Sequence, residues 1–116
     1  VKYFEDIEEE YRNDMYGGVT PEETLQLFIA ALEAEDIDLA SKYFLPDERE
    51  KWVDNLQKIK ESNNLHSMIQ DLLTAQKSKE ENEKAIFVVT NKENVVSVII
   101  GLSKNSITNV WKITDL

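Results

Sequence analysis

The sequence predicts an α+β fold in which N-terminal helices pack on a C-terminal three-stranded antiparallel sheet. Capped amphipathic segments with helical periodicity fill residues 20–73. After residue 84 the pattern changes to the alternation typical of strands, with many β-branched and aromatic residues. The loops between the three predicted strands are short, so the strands must follow one another as a meander.

The length of 116 residues corresponds to one domain, and a content of 41% apolar residues is sufficient for one core. We assign residues 20–116 to a single α+β domain. Residues 1–19 form an N-terminal helical extension or a linker close to an upstream anchor. The chain begins with Val1 rather than Met, so we expect that an upstream piece has been removed. No apolar run of about 18 residues is present that could span a membrane.

The composition also restricts the partners that we expect. The net charge of −10 comes from 23 acidic and 13 basic side chains. Such a surface repels phosphate backbones and anionic headgroups, so nucleic acid is not an expected partner. The ordinary role of these charges is to keep the surface hydrated. The absence of cysteine excludes disulfides, thiolate metal sites and a cysteine nucleophile.

The first 16 residues carry a narrow apolar stripe on an acidic background. Phe4, Ile7 and Tyr11 have the spacing of one helix face. The glycine pair at 17–18 predicts the end of this helix, because glycine adopts the left-handed cap conformation without steric cost.

Two abutting helices are predicted from residue 20 onwards. Thr20 and Glu23 have the spacing of a capping box, and Pro21 stands at the first helical position. Asp36 is placed to cap the second helix. The apolar face of the first helix comprises Leu25, Phe28, Ile29 and Leu32, and that of the second comprises Ile37, Ala40 and either Tyr43 or Phe44.

Two further helices are predicted in residues 46–76, separated by the asparagine pair at 63–64. Their apolar faces comprise Trp52, Val53, Leu56 and Ile59 in the first, and Leu65, Met68, Ile69, Leu72 and Leu73 in the second. Residues 76–84 contain no apolar side chain, and we expect an exposed connection there.

The three strands are expected at 85–90, 95–102 and 107–116. In the last strand, Trp111 and Ile113 should face the helices, with Lys112 and Thr114 on the opposite face. In the middle strand, the face toward the helices comprises Val96, Val98, Ile100 and Leu102. Val95 and Ile99 mark the other face, which is too apolar to remain fully hydrated. We expect a twofold partner to cover it, and the alternative is a segment of the same chain.

These elements resemble the nuclear transport factor 2-like superfamily, which has the cystatin-like cone fold. The resemblance is carried by "TPEETLQLFIAALEAEDIDLASKYF" at 20–44 and "VWKITDL" at 110–116. It is closest to small bacterial exported or lipoprotein-borne members of unknown function. The resemblance implies a cone-like fold and an extracytoplasmic location, with a membrane anchor upstream of this chain. The short sheet and the additional helices at 46–76 depart from the family pattern and imply a shallow cone with a small or filled pocket.

The sequence contains no motif that assigns a reaction, a metal or a cofactor. His66 is the only histidine, and the acidic residues at 36 and 38 lack the glycine and distal glutamate of a calcium loop. Four aromatic residues form the candidate ligand-binding set, although filling the core is their commoner role: Phe28, Tyr43, Trp52 and Trp111.

The function that we expect is that of a non-enzymatic binding or assembly module of the bacterial cell envelope, with a small apolar pocket. One alternative is a small enzyme that resembles ketosteroid isomerase or polyketide cyclases, with Tyr43, Asp38 or His66 as the acid or base. The other alternative is a domain that only forms a homodimer. A buried, partnered carboxylate or imidazole in an open cavity would favour the enzyme, and a filled cavity beneath an apolar outer sheet face would favour assembly.

Overall fold

The computed structural model describes residues 12–116 of the chain. Its helices are α1 (Pro21–Glu33), α2 (Ile37–Ser41), α3 (Arg49–Glu61) and α4 (Leu65–Leu73), with a short 3-10 helix at Pro46–Glu48. Its strands are β1 (Gln76–Glu81), β2 (Lys84–Thr90), β3 (Val96–Lys104) and β4 (Trp111–Asp115), which form one antiparallel sheet in chain order. The α+β class is therefore confirmed, but the predicted number of three strands is wrong because the sheet has four.

The predicted N-terminal helix lies largely outside the described residues. Its apolar stripe at Phe4, Ile7 and Tyr11 falls in that part, but residues 13–16 are described and are not helical. The glycine that follows is needed for a close approach. Gly17 has a φ of 152°, and a Cβ atom there would overlap the carbonyl oxygen of Trp111.

The predicted caps of the first two helices are present. The Thr20 hydroxyl accepts a hydrogen bond of 3.1 Å from the Glu23 amide, and Pro21 opens α1. The Asp36 carboxylate accepts a hydrogen bond of 3.1 Å from the Leu39 amide and caps α2. These bonds satisfy amides that have no partner within the helix, so both helices begin where the sequence indicates.

The apolar faces of α3 and α4 pack into the core, except at Val53 and Leu73. Val53 is half-buried and lines a groove between α2 and α3. Leu65, Ile69 and Leu72 are buried in α4, whereas Leu73 is 57% exposed. The inward assignment of Leu73 was wrong because it follows Leu72 directly, and adjacent residues of a helix diverge in direction.

Strand β1 is the element that the sequence did not reveal. We expected an exposed connection at 76–84, but Gln76–Glu81 pairs with β2 through a two-residue turn. Asn82 and Glu83 have φ values of 53° and 62°, which are the positive values of a type I′ hairpin turn. All six residues of β1 are exposed, so this strand has no apolar face that alternation could detect.

The last connection also differs from the prediction. Strand β3 continues to Lys104 and β4 begins only at Trp111, so residues 107–110 are not part of a strand. The Asn105 amide donates a hydrogen bond of 2.8 Å to the Val110 carbonyl, and the Asn109 amide donates one of 2.7 Å to the Asn105 carbonyl. These bonds, together with a φ of 63° at Asn109, make this segment a turn.

The inner face of the sheet packs on the helices, as expected for most of its residues. Ile100 and Leu102 are buried and Val98 is half-buried, but Val96 is exposed. The pairing changes register at this point, since Val98 faces Val89 while Val96 faces Thr90. Such a bulge interrupts the strict alternation, which is why the inward assignment of Val96 was wrong.

Strand β4 is covered along its outer edge by two other segments of the chain. The Trp111 amide donates to the Gly18 carbonyl at 3.0 Å, and the Ile113 amide donates to the Tyr43 carbonyl at 2.8 Å. The Thr24 hydroxyl, buried in α1, donates to the Trp111 carbonyl at 2.9 Å and accepts from the Gly18 amide at 2.8 Å. These contacts hold the segment that precedes α1 against strand β4, at the edge of the sheet.

Candidate functional site

An open cleft of about 340 Å³ lies between helices α3 and α4 and strands β2 and β3. Its apolar lining comprises Ile59, Met68, Leu72, Val89, Val98 and Leu116. Leu72 and Val89 are fully buried, whereas Ile59, Met68, Val98 and Leu116 are partly exposed. The cleft therefore has an aliphatic floor and walls that remain accessible from outside.

The local sequence sets where α3 ends and α4 begins beside this cleft. Asn63, with a φ of 63°, ends α3 in the left-handed conformation, and the Asn64 amide donates to the Ile59 carbonyl at 3.0 Å. Helix α4 then runs for only nine residues. Met68 lines the opening together with Leu72, and its flexible side chain can adapt to the shape of a ligand.

The polar residues of the cleft lie on one side. Asn64, Ser67 and Asp71 line it, and their spacing of three and four places them along a single face at α4. In the described part of the chain, no basic side chain lies within ion-pair distance of the Asp71 carboxylate. The cleft can therefore hold an apolar body, with one polar end directed toward α4.

The four aromatic candidates lie elsewhere. Phe28, Tyr43 and Trp111 are buried, Trp52 is half-buried, and none of them lines the cleft. Phe44 joins two of them, because it stacks on Trp52 with ring centroids 4.3 Å apart and meets the Phe28 ring edge-on at 5.3 Å. The structure thus places these aromatic side chains within the packed core.

The three acid–base candidates are not brought together. His66 and Asp38 are exposed, and the Asp38 carboxylate pairs with Lys42 at 3.5 Å. Burial raises the pKa of the Tyr43 hydroxyl, with smaller contributions from Tyr16 and Asp36. No hydrogen bond between any two of these candidates occurs in residues 12–116.

A second polar group, which sequence reasoning missed, is the buried ion cluster formed by Asp14, Arg49 and Lys112. The Lys112 ammonium lies 2.9 Å from one carboxylate oxygen of Asp14 and donates to the other at 3.1 Å. It also donates to the Tyr16 carbonyl at 2.6 Å and to the Lys42 carbonyl. The Arg49 guanidinium donates to Asp14 at 2.9 Å.

The environment of Lys112 decides what this cluster can do. Burial lowers the pKa of Lys112 to about 8, although the Asp14 carboxylate opposes this shift, and the nearby Arg49 charge adds to it. An ammonium that donates to Asp14 and to two carbonyls has no free donor for a ligand. The cluster therefore holds residues 14–16 against α3 and β4, and the sequence carried no signal of it because Asp14 and Lys112 are 98 residues apart.

Fold and site together define a small α+β domain with an aliphatic cleft and a buried ion cluster. Comparisons with family models, with curated proteins and with solved structures find no match for this chain. Among the helices of residues 12–116, none is long and apolar enough to cross a membrane. Across the same residues, no group of three or more histidine, aspartate or glutamate side chains is arranged to hold a metal ion.

Proposed function

We propose that the protein is a non-enzymatic binding module that accepts a small apolar ligand in the cleft beside α4. The observation that carries this proposal is an open space of about 340 Å³ with a mainly aliphatic lining. Small-molecule sites in proteins usually combine such a lining with a few convergent polar groups. Removal of the apolar walls from water would supply the driving force for binding.

The resemblance to the nuclear transport factor 2-like superfamily belongs to this proposal, since that superfamily is described as a cone around a central space. The α+β order of elements is compatible with it. A location at the bacterial cell envelope, with an anchor upstream of Val1, rests on this resemblance alone and is proposed together with it.

The enzyme alternative has less support from the geometry. Acid–base chemistry needs a titratable group that is held out of water with a displaced pKa. Asp71 has the only ionisable side chain among the described residues that line the cleft, and it is exposed. A binding role requires no such group, so it is the function that this cleft supports best.

A homodimer through the outer sheet face is the second candidate. Ile86 and Ile99 are exposed there, and Ile99 lies opposite Val88 on β2. Val95 is exposed in the turn that precedes β3. Val95 and Ile99 are each 56% exposed, so the described residues do not cover them. This exposed apolar surface favours the proposal of a partner.

The binding proposal is tested by titrating the isotope-labelled protein with 1-octanol and following backbone amide shifts by NMR. We expect saturable shifts at Leu72, Val89 and Val98, with little change at Ile99 on the outer face. A Met68→Trp substitution should fill the opening and weaken binding by about tenfold, which corresponds to the loss of one or two buried methylene groups.

Leu73→Trp is the matched control, because Leu73 lies on the same helix but is exposed and does not line the cleft. This variant should bind 1-octanol like the unmodified protein. Shifts spread evenly over the surface, or equal affinities for both tryptophan variants, would contradict binding in the cleft.

A further inference from the structure

We infer that the cleft beside α4 selects amphiphiles with a positively charged head group over neutral or anionic ones of the same chain length. This inference rests on the proposed function and names the class of ligand. It follows from where the polar atoms of the cleft lie and from which of them carry charge.

The orientation of such a ligand is set by the uneven distribution of polar groups. The walls formed by α3, β2, β3 and the last residue of the chain are aliphatic at Ile59, Val89, Val98 and Leu116. The polar residues Asn64, Ser67 and Asp71 lie along α4 alone. An apolar chain would therefore pack on the sheet side, and its head group would remain beside α4, where water and polar partners are available.

The charge preference comes from Asp71. Among the described residues that line the cleft, it has the only charged side chain. The last turn of α3 carries Lys58 and Lys60, but neither of them lines the cleft. A cationic head group would thus meet a carboxylate with no competing basic partner in the described residues, whereas an anionic head group would meet repulsion.

The size of the space limits the apolar part. A volume of about 340 Å³ lies at the lower end of the range for small-molecule pockets. It suits a chain of about eight carbons or a single ring system rather than a long lipid tail. The net charge of −10 adds a weaker, long-range attraction for cations, which salt screens.

The test compares three probes with the same chain: n-octylammonium, 1-octanol and octanoate, each below its micelle concentration. Dissociation constants come from amide shifts at Leu72 and Val98 at low ionic strength. We expect n-octylammonium to bind about tenfold more tightly than octanoate, with 1-octanol between them. The exposed Asp71 carboxylate attracts the ammonium and repels the octanoate, and the two effects together account for this ratio. The difference in affinity between the probes should shrink at 0.5 M salt, because the Debye length is only about 4 Å at that ionic strength.

An Asp71→Asn substitution should remove most of this preference while leaving the affinity for 1-octanol unchanged. The matched control is Asp54→Asn, which removes the same charge from α3, where Asp54 lines a different groove. The control changes the net charge by the same amount but leaves the cleft intact, so it should retain the preference for the cationic probe.

The outcomes separate the two proposals. Equal affinities for the three probes, or a preference that Asp54→Asn removes as fully as Asp71→Asn, would overturn the head-group inference and leave the apolar cleft in place. Failure of all three probes to shift the cleft residues would overturn the proposed function and the inference together.

Discussion

The Lys112 ammonium and the Asp14 carboxylate lie 2.9 Å apart, and both side chains are almost completely shielded from water. Two ions in this position have lost most of their hydration, and their mutual attraction, together with the bonds to Arg49 and two carbonyls, offsets only part of that loss. The pair joins the segment before α1 to the final strand. Its net effect on stability depends on both partners being present.

Asp14→Asn should therefore destabilise the protein strongly, because it leaves two cations without a counter-charge. We expect the free energy of unfolding to fall by about 3–5 kcal/mol, the usual cost of removing one partner of a buried pair. Urea denaturation measures this change. Asp38→Asn removes a carboxylate from an exposed pair with Lys42 and should cost less than about 1 kcal/mol. Equal effects of the two substitutions would contradict the structural role of Asp14.

The titration of Lys112 should make stability depend on pH in an unusual direction. Its pKa is about 8 in the folded state, against the ordinary lysine value of 10.5. Between these values the unfolded state holds a proton that the folded state has lost, so the contribution of this group to stability rises with pH. The full gain is on the order of 3 kcal/mol.

The contribution of Lys112 is isolated by comparison with a Lys112→Met variant, which lacks this titration. The unfolding free energy of the unmodified protein minus that of the variant should increase between pH 8 and pH 10, as measured by urea denaturation at each pH. The other lysines and tyrosines cancel in the difference. A difference that decreases over this interval would show that burial does not lower the pKa of Lys112.

The N-cap of α1 should contribute measurably to stability. Thr20→Ala removes the hydroxyl that accepts from the Glu23 amide, and the unfolding free energy should fall by about 1 kcal/mol. Thr20→Ser retains the hydroxyl and serves as the control, with little expected change. If alanine and serine give the same denaturation midpoint, Thr20 does not act as a cap.

Trp111 should be a major core contributor, because its side chain is buried beneath α1 at the start of β4. Trp111→Ala should lower the unfolding free energy by about 3–5 kcal/mol. In a Trp52→Phe background, Trp111 is the only tryptophan, and its emission should be blue-shifted and poorly quenched by acrylamide. Emission typical of a hydrated indole would contradict this burial.

The outer sheet face gives a prediction about assembly. If a twofold partner covers Val95 and Ile99, Ile99→Lys should place two like charges in the interface and shift a dimer to monomer. Sedimentation velocity over a range of concentrations measures this shift. Leu73→Lys introduces the same charge at an exposed apolar position on α4, away from the outer sheet face, and is the control. A protein that is monomeric at all concentrations before any substitution would exclude the dimer.

The parts of the fold that could be predicted are those with local causes. The caps at Thr20 and Asp36 act within one helical turn, so the sequence specifies them directly. Strand β1 was missed because its pairing depends on a turn at Asn82 and Glu83 rather than on apolar alternation. The ion cluster was missed for the opposite reason, since it depends on the meeting of residues that are remote in sequence.

The cleft is a property of the space between elements rather than of any motif. Ile59, Met68 and Leu72 were correctly assigned to the helix faces toward the sheet, but periodicity does not indicate whether facing side chains close the gap. Aromatic residues were the natural ligand candidates by size, yet they filled the core, and smaller aliphatic residues line the opening.

The composition of β1 has a consequence for how molecules of this protein meet one another. In the described part of the chain, β1 pairs on one side only, while the edge of β4 is occupied by Gly18 and Tyr43. An open edge invites another molecule to add a strand, which is a common first step toward fibrils. Here Lys77, Lys79, Glu80 and Glu81 would have to be dehydrated, and the register shift between Lys77 and Lys79 interrupts a continuous ladder. The same charges that made this strand resemble a loop thus oppose aggregation at the exposed edge of the sheet.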